Sequence, residues 1–593
     1  EGFKYKNVTY YMIDQMDDGM YNVEYHNKNS NTGAFEVSSS IEGNVGKIIV
    51  SINNYDGYIN NWQVKYKLNT EEKWQISNDL KFTVDNAGTY IVNVVHGDEI
   101  DLGKKTVTVS NELGWNQSKK VNSPQLMEGM TGIYWDKDGN EIEVTADNQD
   151  NWYDYSAQKW ANAVTKDSNG NVTGYWVWIP RYAYKIESGR YTSTVGKISV
   201  KFLQGTSNKD ENNSEISQNY PETTGGTMSA YVVHPSFTDG SANGKNNNFM
   251  NGEWDKEISG YWVAKYPAGF QANTITNNNG TLSTTISNSS DTVVYSNKNY
   301  TSYHANMTTN ALSQNLTSSG YASQKLSYPV FKPLTYAYNN ISTGDAYTIS
   351  KEIASASSFY GLNSTKTDSH QMKNSEWGAV AYLTQSSYGR NGTEISLNNY
   401  YTTESSPWRT AITGMCTNGI SGDKTTTLGN AYNTAIGVKG SSTANITGIY
   451  DLNGCVWERT TAYISNGNAS LSTYGNSYTN TTANTNGYQT LSTKWATVYP
   501  YNSSDSNTNN YNSYSGKKST TYGFGDAVLE TSTTGSESTS WNGDYSSFPY
   551  TYRPFLLRSG DYSHSSRAGS FAFDFVNGDP RYTHGFRSVL VAQ

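Results

Sequence analysis

The stretch GIYDLNGCVWER, Gly448 to Arg459, stands apart from the Ser, Thr, Asn and Tyr that fill most of the chain. It gathers Asp451, Asn453, Gly454, Trp457 and Glu458 around Cys455, one of only two cysteines. The question it raises is what so dense a group of turn-forming and acidic residues holds together.

The chain around it has 593 residues, too many for one ordinary domain of about 100–200 residues, so at least two compact units are expected, one of them large. Charged residues make up 16 %, with 43 Lys and Arg against 52 Asp and Glu. A net charge of −9 without any basic cluster argues against wrapping nucleic acid or attaching electrostatically to anionic membranes. The 49 Tyr and 15 Trp supply apolar area in place of a Leu-rich core, and with abundant Thr and Gly they favour short strands over helices. Hydroxyls and amides in place of charge suit an extracellular or cell-surface setting. No apolar run approaches the roughly 20 residues needed to span a bilayer. A start at Glu1 without Met or an apolar leader reads as an exported product whose signal has been removed. At the other end, SVLVAQ reads as a strand rather than a sorting tail. Cys416 and Cys455 are a candidate disulfide in an oxidising compartment; the alternative is two separate buried thiols.

Residues 1–37 contain strand-like pieces, KYKNVTYYMI and GMYNVEYH, and read as an N-terminal extension with possible donor strands. From 38 to 112, alternating runs such as GKIIVSINN, NWQVKYKLN and GTYIVNVVHG between turn residues predict a small β-sandwich. Within it, DNAGTYIVNVV resembles the region of immunoglobulin-like modules in which a Tyr ends a turn and anchors a strand. Residues 113–170 read as a linker followed by a hairpin, GIYWDKDGNEIEV, and a short helix with an aromatic face, WYDYSAQKWANAV. The remainder, 171–593, is expected to be one large domain. Pro180 interrupts its first apolar run, GYWVWIPRYAYKI, and should sit at an edge or bulge. SHQMKNSEWGAVAYLTQSSYG predicts an amphipathic helix capped by Asn374 or Ser375. The polar tracts 271–326 and 464–520 read as surface insertions without a core of their own.

In order, VWIPRYAYKI, YWVAKYPA, MKNSEWGAVAYL, GIYDLNGCVWER, LLRSGDY and HGFRSVLV resemble the signature of the formylglycine-generating-enzyme, or sulfatase-modifying-factor, family. The wording is also similar to a subgroup of exported, pilin-like or surface proteins of Gram-positive-type bacteria and their phages. The resemblance covers about 175–593 and implies a mainly β, irregular α+β architecture: an immunoglobulin-like sandwich followed by a C-type-lectin-like domain with long polar insertions. It further implies a structural calcium ion held by Asp451, Gly454, Val456 and Glu458, which is reasonable chemistry because Ca²⁺ readily uses carboxylates and the carbonyls of a glycine-containing turn. The alternative is that Asp451 and Glu458 only cap turns. Cys455 stands where the family has Asn, and Trp457 is expected to face the core.

Enzymatic activity is not expected. The family's catalytic members bind copper through two C-terminal cysteines, whereas this chain has RSGDYSHSSRAGSF where a thiol should lie. The histidines, at 26, 96, 234, 304, 370, 564 and 584, are scattered singly rather than clustered for a metal. No Ser/His/Asp signature or P-loop is present, and a glycosidase-like carboxylate pair is left open.

Two functions remain. The first is an exported bacterial or phage adhesin or receptor-binding protein whose lectin-like face contacts a cell-surface glycan or protein receptor. The resemblance to lectin-fold proteins with a variable face points to Asp561, Tyr562, His564, Asp574, Asn577, Arg581, Tyr582 and His584, with Tyr562 and Tyr582 exposed side by side. The second is a structural subunit of an extracellular filament or pilus, assembled by self-association through donated strands. In either, the terminal strand FRSVLVA is expected to pair back near YWVWIP.

Overall fold

The computed structural model describes all residues except 1, 6–7, 16–20, 28–34, 43–44, 53–61, 97–99, 111, 222, 240–253, 271, 277–281, 284–291, 296–297, 302–328, 340, 405–407, 427–428, 476–492, 500, 505 and 516–523. It is mainly β, 38 % strand against 15 % helix, and divides into two units, Glu1–Ser123 with Gln204–Ser207, and Pro124–Leu203 with Asn208–Gln593.

In the smaller unit, Gly2–Tyr5, Val8–Gln15 and Tyr21–Asn27 pair with one another as an antiparallel sheet. These strands, read as possible donors to a neighbour's sheet, pair with one another within the chain. The sandwich begins at Phe35 rather than residue 38. Phe35–Glu42, Val45–Ile52 and Lys81–Val84 form one sheet, and Ile100–Val109, Gly88–His96, Gln63–Leu68 and Gln75–Ser77 the other. Strict alternation places Ile48 and Val50 inward, where they share one core with Phe35, Val64, Val92, Val94 and Val109. Tyr90 is buried there, and its hydroxyl donates to the Asn86 carbonyl at 2.8 Å, anchoring the strand to its preceding turn.

The larger unit is built on a seven-stranded sheet in the order Glu141–Glu143, Met130–Trp135, Asn162–Lys166, Val172–Pro180, Gly260–Ala264, Ser588–Ala592 and Thr367–Gln371. The larger unit begins at Pro124, within the stretch read as linker, and its residues 124–170 contribute three strands to this sheet. The hairpin expected at 133–143 forms, but the aromatic helix does not. Residues 149–151 and 155–157 are single 3₁₀ turns, and Asn162–Lys166 is a strand because its side chains are needed between two others. Pro180 lies on an interior strand, not an edge; it is tolerated as the last residue, opposite Gly260. The terminal strand pairs with Gly260–Ala264 and Thr367–Gln371, one strand removed from Val172–Pro180.

A second sheet orders Thr497–Tyr499, Trp457–Ile464, Phe555–Ser559 and Gly569–Val576, with His584–Phe586 running parallel to Trp457–Arg459. The helix Asn374–Gln385 forms, but all of its residues are buried, so it is not amphipathic. Its cap is also different: Glu376 reaches back to accept the Lys373 N–H at 2.8 Å. The 464–520 tract is not a mere surface insertion either. It sends Leu471, Val498, Tyr499, Tyr511 and Tyr514 into the core. Tyrosine makes this possible because the ring is apolar while the hydroxyl finds a partner: Tyr499 and Tyr514 both donate to Asp526, at 2.8 and 2.6 Å. Much of the 271–326 tract lies outside the described residues.

Candidate functional site

The opening motif folds into a tight curl, with Asp451, Gly454 and Cys455 all in the left-handed region at φ of 62°, 96° and 66°. Gly454 is required there, because a Cβ would stand 2.3 Å from the Asn398 carbonyl oxygen. The same Asn398 receives the Cys455 N–H at 2.7 Å and donates its own N–H to the Asn453 carbonyl at 2.9 Å. The carbonyls of Asp451 and Gly454 both accept from the Ser559 hydroxyl, at 3.1 and 3.0 Å.

The carboxylates are equally engaged. Asp451 accepts from Asn398 Nδ2 and from the Gly414 N–H, each at 2.8 Å, and burial pushes its carboxyl up to about 7. Glu458 accepts from Arg587 Nε at 2.9 Å and Nη2 at 2.6 Å. Burial pushes Glu458 up, and the guanidinium opposes that shift. Arg587 spends its other donors on the carbonyls of Ala264 and Tyr450, at 2.7 and 2.8 Å.

The residues present therefore do not fit a calcium ion. Ca²⁺ takes about six to eight oxygen ligands, while both carboxylates and the Gly454 carbonyl expected to supply them already face protein donors. The Val456 side chain is buried in an apolar cluster with Ala337, Tyr401, Ala411, Cys455 and Tyr562, which fixes its place in the fold without involving its carbonyl. Among the described residues, no group of three or more His, Cys, Asp and Glu side chains is placed to hold a metal ion. The candidate disulfide is also corrected: Cys416 and Cys455 are free and buried. The Cys416 thiol faces the Ile436 carbonyl at 3.2 Å and the Cys455 thiol that of Ile412 at 3.8 Å. Burial raises both thiols, Cys416 to about 11, so neither is a ready nucleophile. Trp457 faces the core as expected.

The expected ligand face divides in two. Tyr562 is only 2 % exposed; its ring stacks on Tyr401 at 4.9 Å and its N–H donates to the Cys455 carbonyl, so it braces the motif from below. His584 is buried in the strand beside Trp457. Its Nδ1 lies 3.3 Å from Arg459 Nη2, and burial, then the Arg459 charge, hold it well below the ordinary histidine value. Asp561 is buried as well and organises its turn, accepting from the Ser563 N–H at 2.7 Å and hydroxyl at 2.6 Å and pairing with His564 Nδ1 at 2.9 Å.

The remaining residues reach solvent. His564 leaves 23 % of its side chain exposed, its ring standing edge-on to Trp457 at 4.9 Å and to Tyr545 at 5.8 Å. Asp574 is half-buried, and desolvation pushes its carboxyl up to about 7 against the pull of His564 and Arg553. Asn577 accepts from the Asp579 N–H at 3.4 Å, and the exposed Arg581 grips Asp579 with Nε and Nη2, each at 2.9 Å. Tyr582 is exposed, so the Tyr562–Tyr582 pair does not exist as one surface.

Residues not singled out from sequence complete the exposed part. Tyr552 is 70 % exposed on a turn closed by the Arg553 N–H to the Tyr550 carbonyl at 2.8 Å. Tyr550 meets Phe575 edge-on at 4.9 Å, and the Arg553 guanidinium lies 5.0 Å from the same ring. Arg567 lies 5.4 Å from the ring of Tyr545. The signal was present in FPYTYRPF, Phe548 to Phe555, an aromatic and Arg-bearing turn amid hydroxyl residues. Rigidly held rings beside acids and guanidinium groups suit recognition, because they offer flat apolar contact and directed hydrogen bonds at small entropic cost. No protein-family model matches this chain, and no curated protein matches it.

Proposed function

We propose that the chain is an exported bacterial or phage surface protein whose larger unit, of C-type-lectin-like kind, presents a ligand-binding face to a cell-surface glycan or protein receptor. The smaller unit is an immunoglobulin-like module in this reading, and the chain is not an enzyme. One observation carries it: the exposed Tyr552 and Arg553, flanked by the partly buried rings of Tyr550 and Phe575, form an aromatic and cationic patch next to Asp574, whose carboxyl feels both Arg553 and the partly exposed His564. Tyr and Arg held this way dominate recognition surfaces.

The test uses the labelled full chain on an oligosaccharide array and on intact cells. Saturable binding is expected, and the double variant Tyr552→Ala with Arg553→Ala should abolish it while the near-ultraviolet circular dichroism stays unchanged. Binding that survives the double variant rejects this face. Regular filaments on micrographs without saturable binding transfer the argument to a structural subunit.

A further inference from the structure

We propose that the positive charge around which the 446–458 segment is built is supplied by the chain itself, as the Lys265 ammonium before the Asp451–Glu458 turn and the Arg587 guanidinium on it, so that the larger unit holds its shape without a metal ion. The inference stands apart from the ligand-binding reading and concerns what the opening motif is built around.

Lys265 is wholly buried. Its Nζ donates to Asn162 Oδ1 at 2.8 Å, to the Ile446 carbonyl at 2.6 Å and to the Gly448 carbonyl at 2.9 Å. Three acceptors for three N–H groups is the arrangement an ammonium requires; a neutral amine would turn a lone pair toward one of the oxygens. The rings of Trp135 and Tyr450 lie 4.9 and 5.5 Å from the same nitrogen, within reach of a cation–π contribution. Burial pulls this lysine well below its ordinary value, with the Glu141 carboxylate opposing that pull; the three oxygen acceptors and the two ring faces are the groups that favour the ammonium form.

The two cations act on one strip of chain. Ala264 gives its carbonyl to Arg587, and the next residue, Lys265, gives its carbonyl to the Tyr450 N–H at 2.9 Å. Tyr450 then gives its own carbonyl to Arg587. Lys265 directly follows the strand Gly260–Ala264 and Arg587 directly precedes Ser588–Ala592, and these two strands are neighbours in the sheet. Residues 446–458 are thus pinned to that sheet by a positive charge at each end, Lys265 on Ile446 and Gly448, Arg587 on Tyr450 and Glu458. A metal ion would have to be bound from solution, at a cost in translational freedom; cations on the backbone arrive with folding and cannot be chelated.

The experiment is thermal unfolding of the full chain after dialysis against EDTA and against calcium chloride, with elemental analysis of the dialysed protein. The unfolding midpoints are expected to coincide and calcium to be far below one per chain. A midpoint lowered by chelation, or stoichiometric calcium, overturns the proposal, and this arm needs no variant to fold. The second arm is Lys265→Ala. Its midpoint should drop by several degrees and recover in part with methylammonium chloride, a small N–H donor able to enter the vacated cage. Tetramethylammonium chloride at equal ionic strength should do nothing. Equal rescue by both salts, or a variant as stable as the parent, overturns the role assigned to Lys265.

Discussion

Glu458 and Arg587 face each other through two hydrogen bonds, at 2.9 and 2.6 Å, with both side chains only 1 % exposed. The pair joins the motif strand to the residue that leads into the last strand, Ser588–Ala592. Removing one member leaves the other charged and buried, which costs about 3–5 kcal/mol, whereas removing both leaves a gap but no orphan charge. Arg587→Met should therefore be more destabilising than Glu458→Gln with Arg587→Met together. A double-mutant cycle by denaturant unfolding measures the difference, and simple additivity would show that the two side chains do not act as a pair.

Gly454 has a different role. At φ 96°, with the Asn398 carbonyl oxygen 2.3 Å from where a Cβ would stand, Gly454→Ala pushes against backbone rather than a flexible side chain. The left-handed strain alone costs on the order of 1–3 kcal/mol, and displacing the 398 segment adds to it. The unfolding midpoint should fall by more than for Gly139→Ala, a glycine also at positive φ, 83°, but with open space around it.

How much of this was legible in the sequence follows from the range of each interaction. The alternation of VGKIIVSI, Val45 to Ile52, is a local period and gave its strand. The helix at Asn374–Gln385 carried its signal within one segment, although its burial on every side did not show. The motif was recognisable as a special turn, but its cation was not, because Arg587 lies 129 residues beyond Glu458 and Lys265 lies 183 before Gly448. The 464–520 tract reads as surface because hydroxyl-bearing Tyr499 and Tyr514 look polar in sequence, whereas Asp526 takes both hydroxyls and lets the rings enter the core. On the ligand face, the alternation of polar and aromatic residues could not say that Asp561 and Tyr562 turn inward while Tyr552 and Arg553 turn out.

The carboxyl of Asp451 gives a pH dependence whose sign is unusual for an acid. Burial raises its folded value to about 7, above the roughly 4 of an unfolded chain, so the folded state binds the proton more tightly. The corresponding stability is fully present below pH of about 4 and is lost as pH rises through about 7, at no more than about 1.4 kcal/mol per pH unit. Unfolding free energy should thus decline from pH 5 to pH 8. Asp451→Asn should flatten the decline while losing about 1 kcal/mol at pH 5, because the amide oxygen cannot serve both the Asn398 and Gly414 donors. An unchanged slope in the variant would assign the dependence to another group.

Tyr562 and Tyr582, twenty residues apart and similar in sequence context, should respond in opposite ways to the same substitution. Tyr562 stacks on Tyr401 and lies in one apolar cluster with Cys455 and Val456. Tyr562→Ala removes most of a buried ring and should cost about 3–5 kcal/mol, the range for large aromatic truncations. It should also uncover the neighbouring thiol, so that Cys455 reacts with a disulfide reagent much faster than in the parent, while Cys416, outside that cluster, does not. Tyr582 is 36 % exposed, and its interaction with Asn339 runs through its backbone carbonyl, which Ala retains. Tyr582→Ala should therefore leave both the unfolding midpoint and the thiol reactivity near the parent values. Peptide mapping of the labelled cysteine separates the two thiols; equal labelling of Cys455 in the two variants would mean that Tyr562 does not brace the motif.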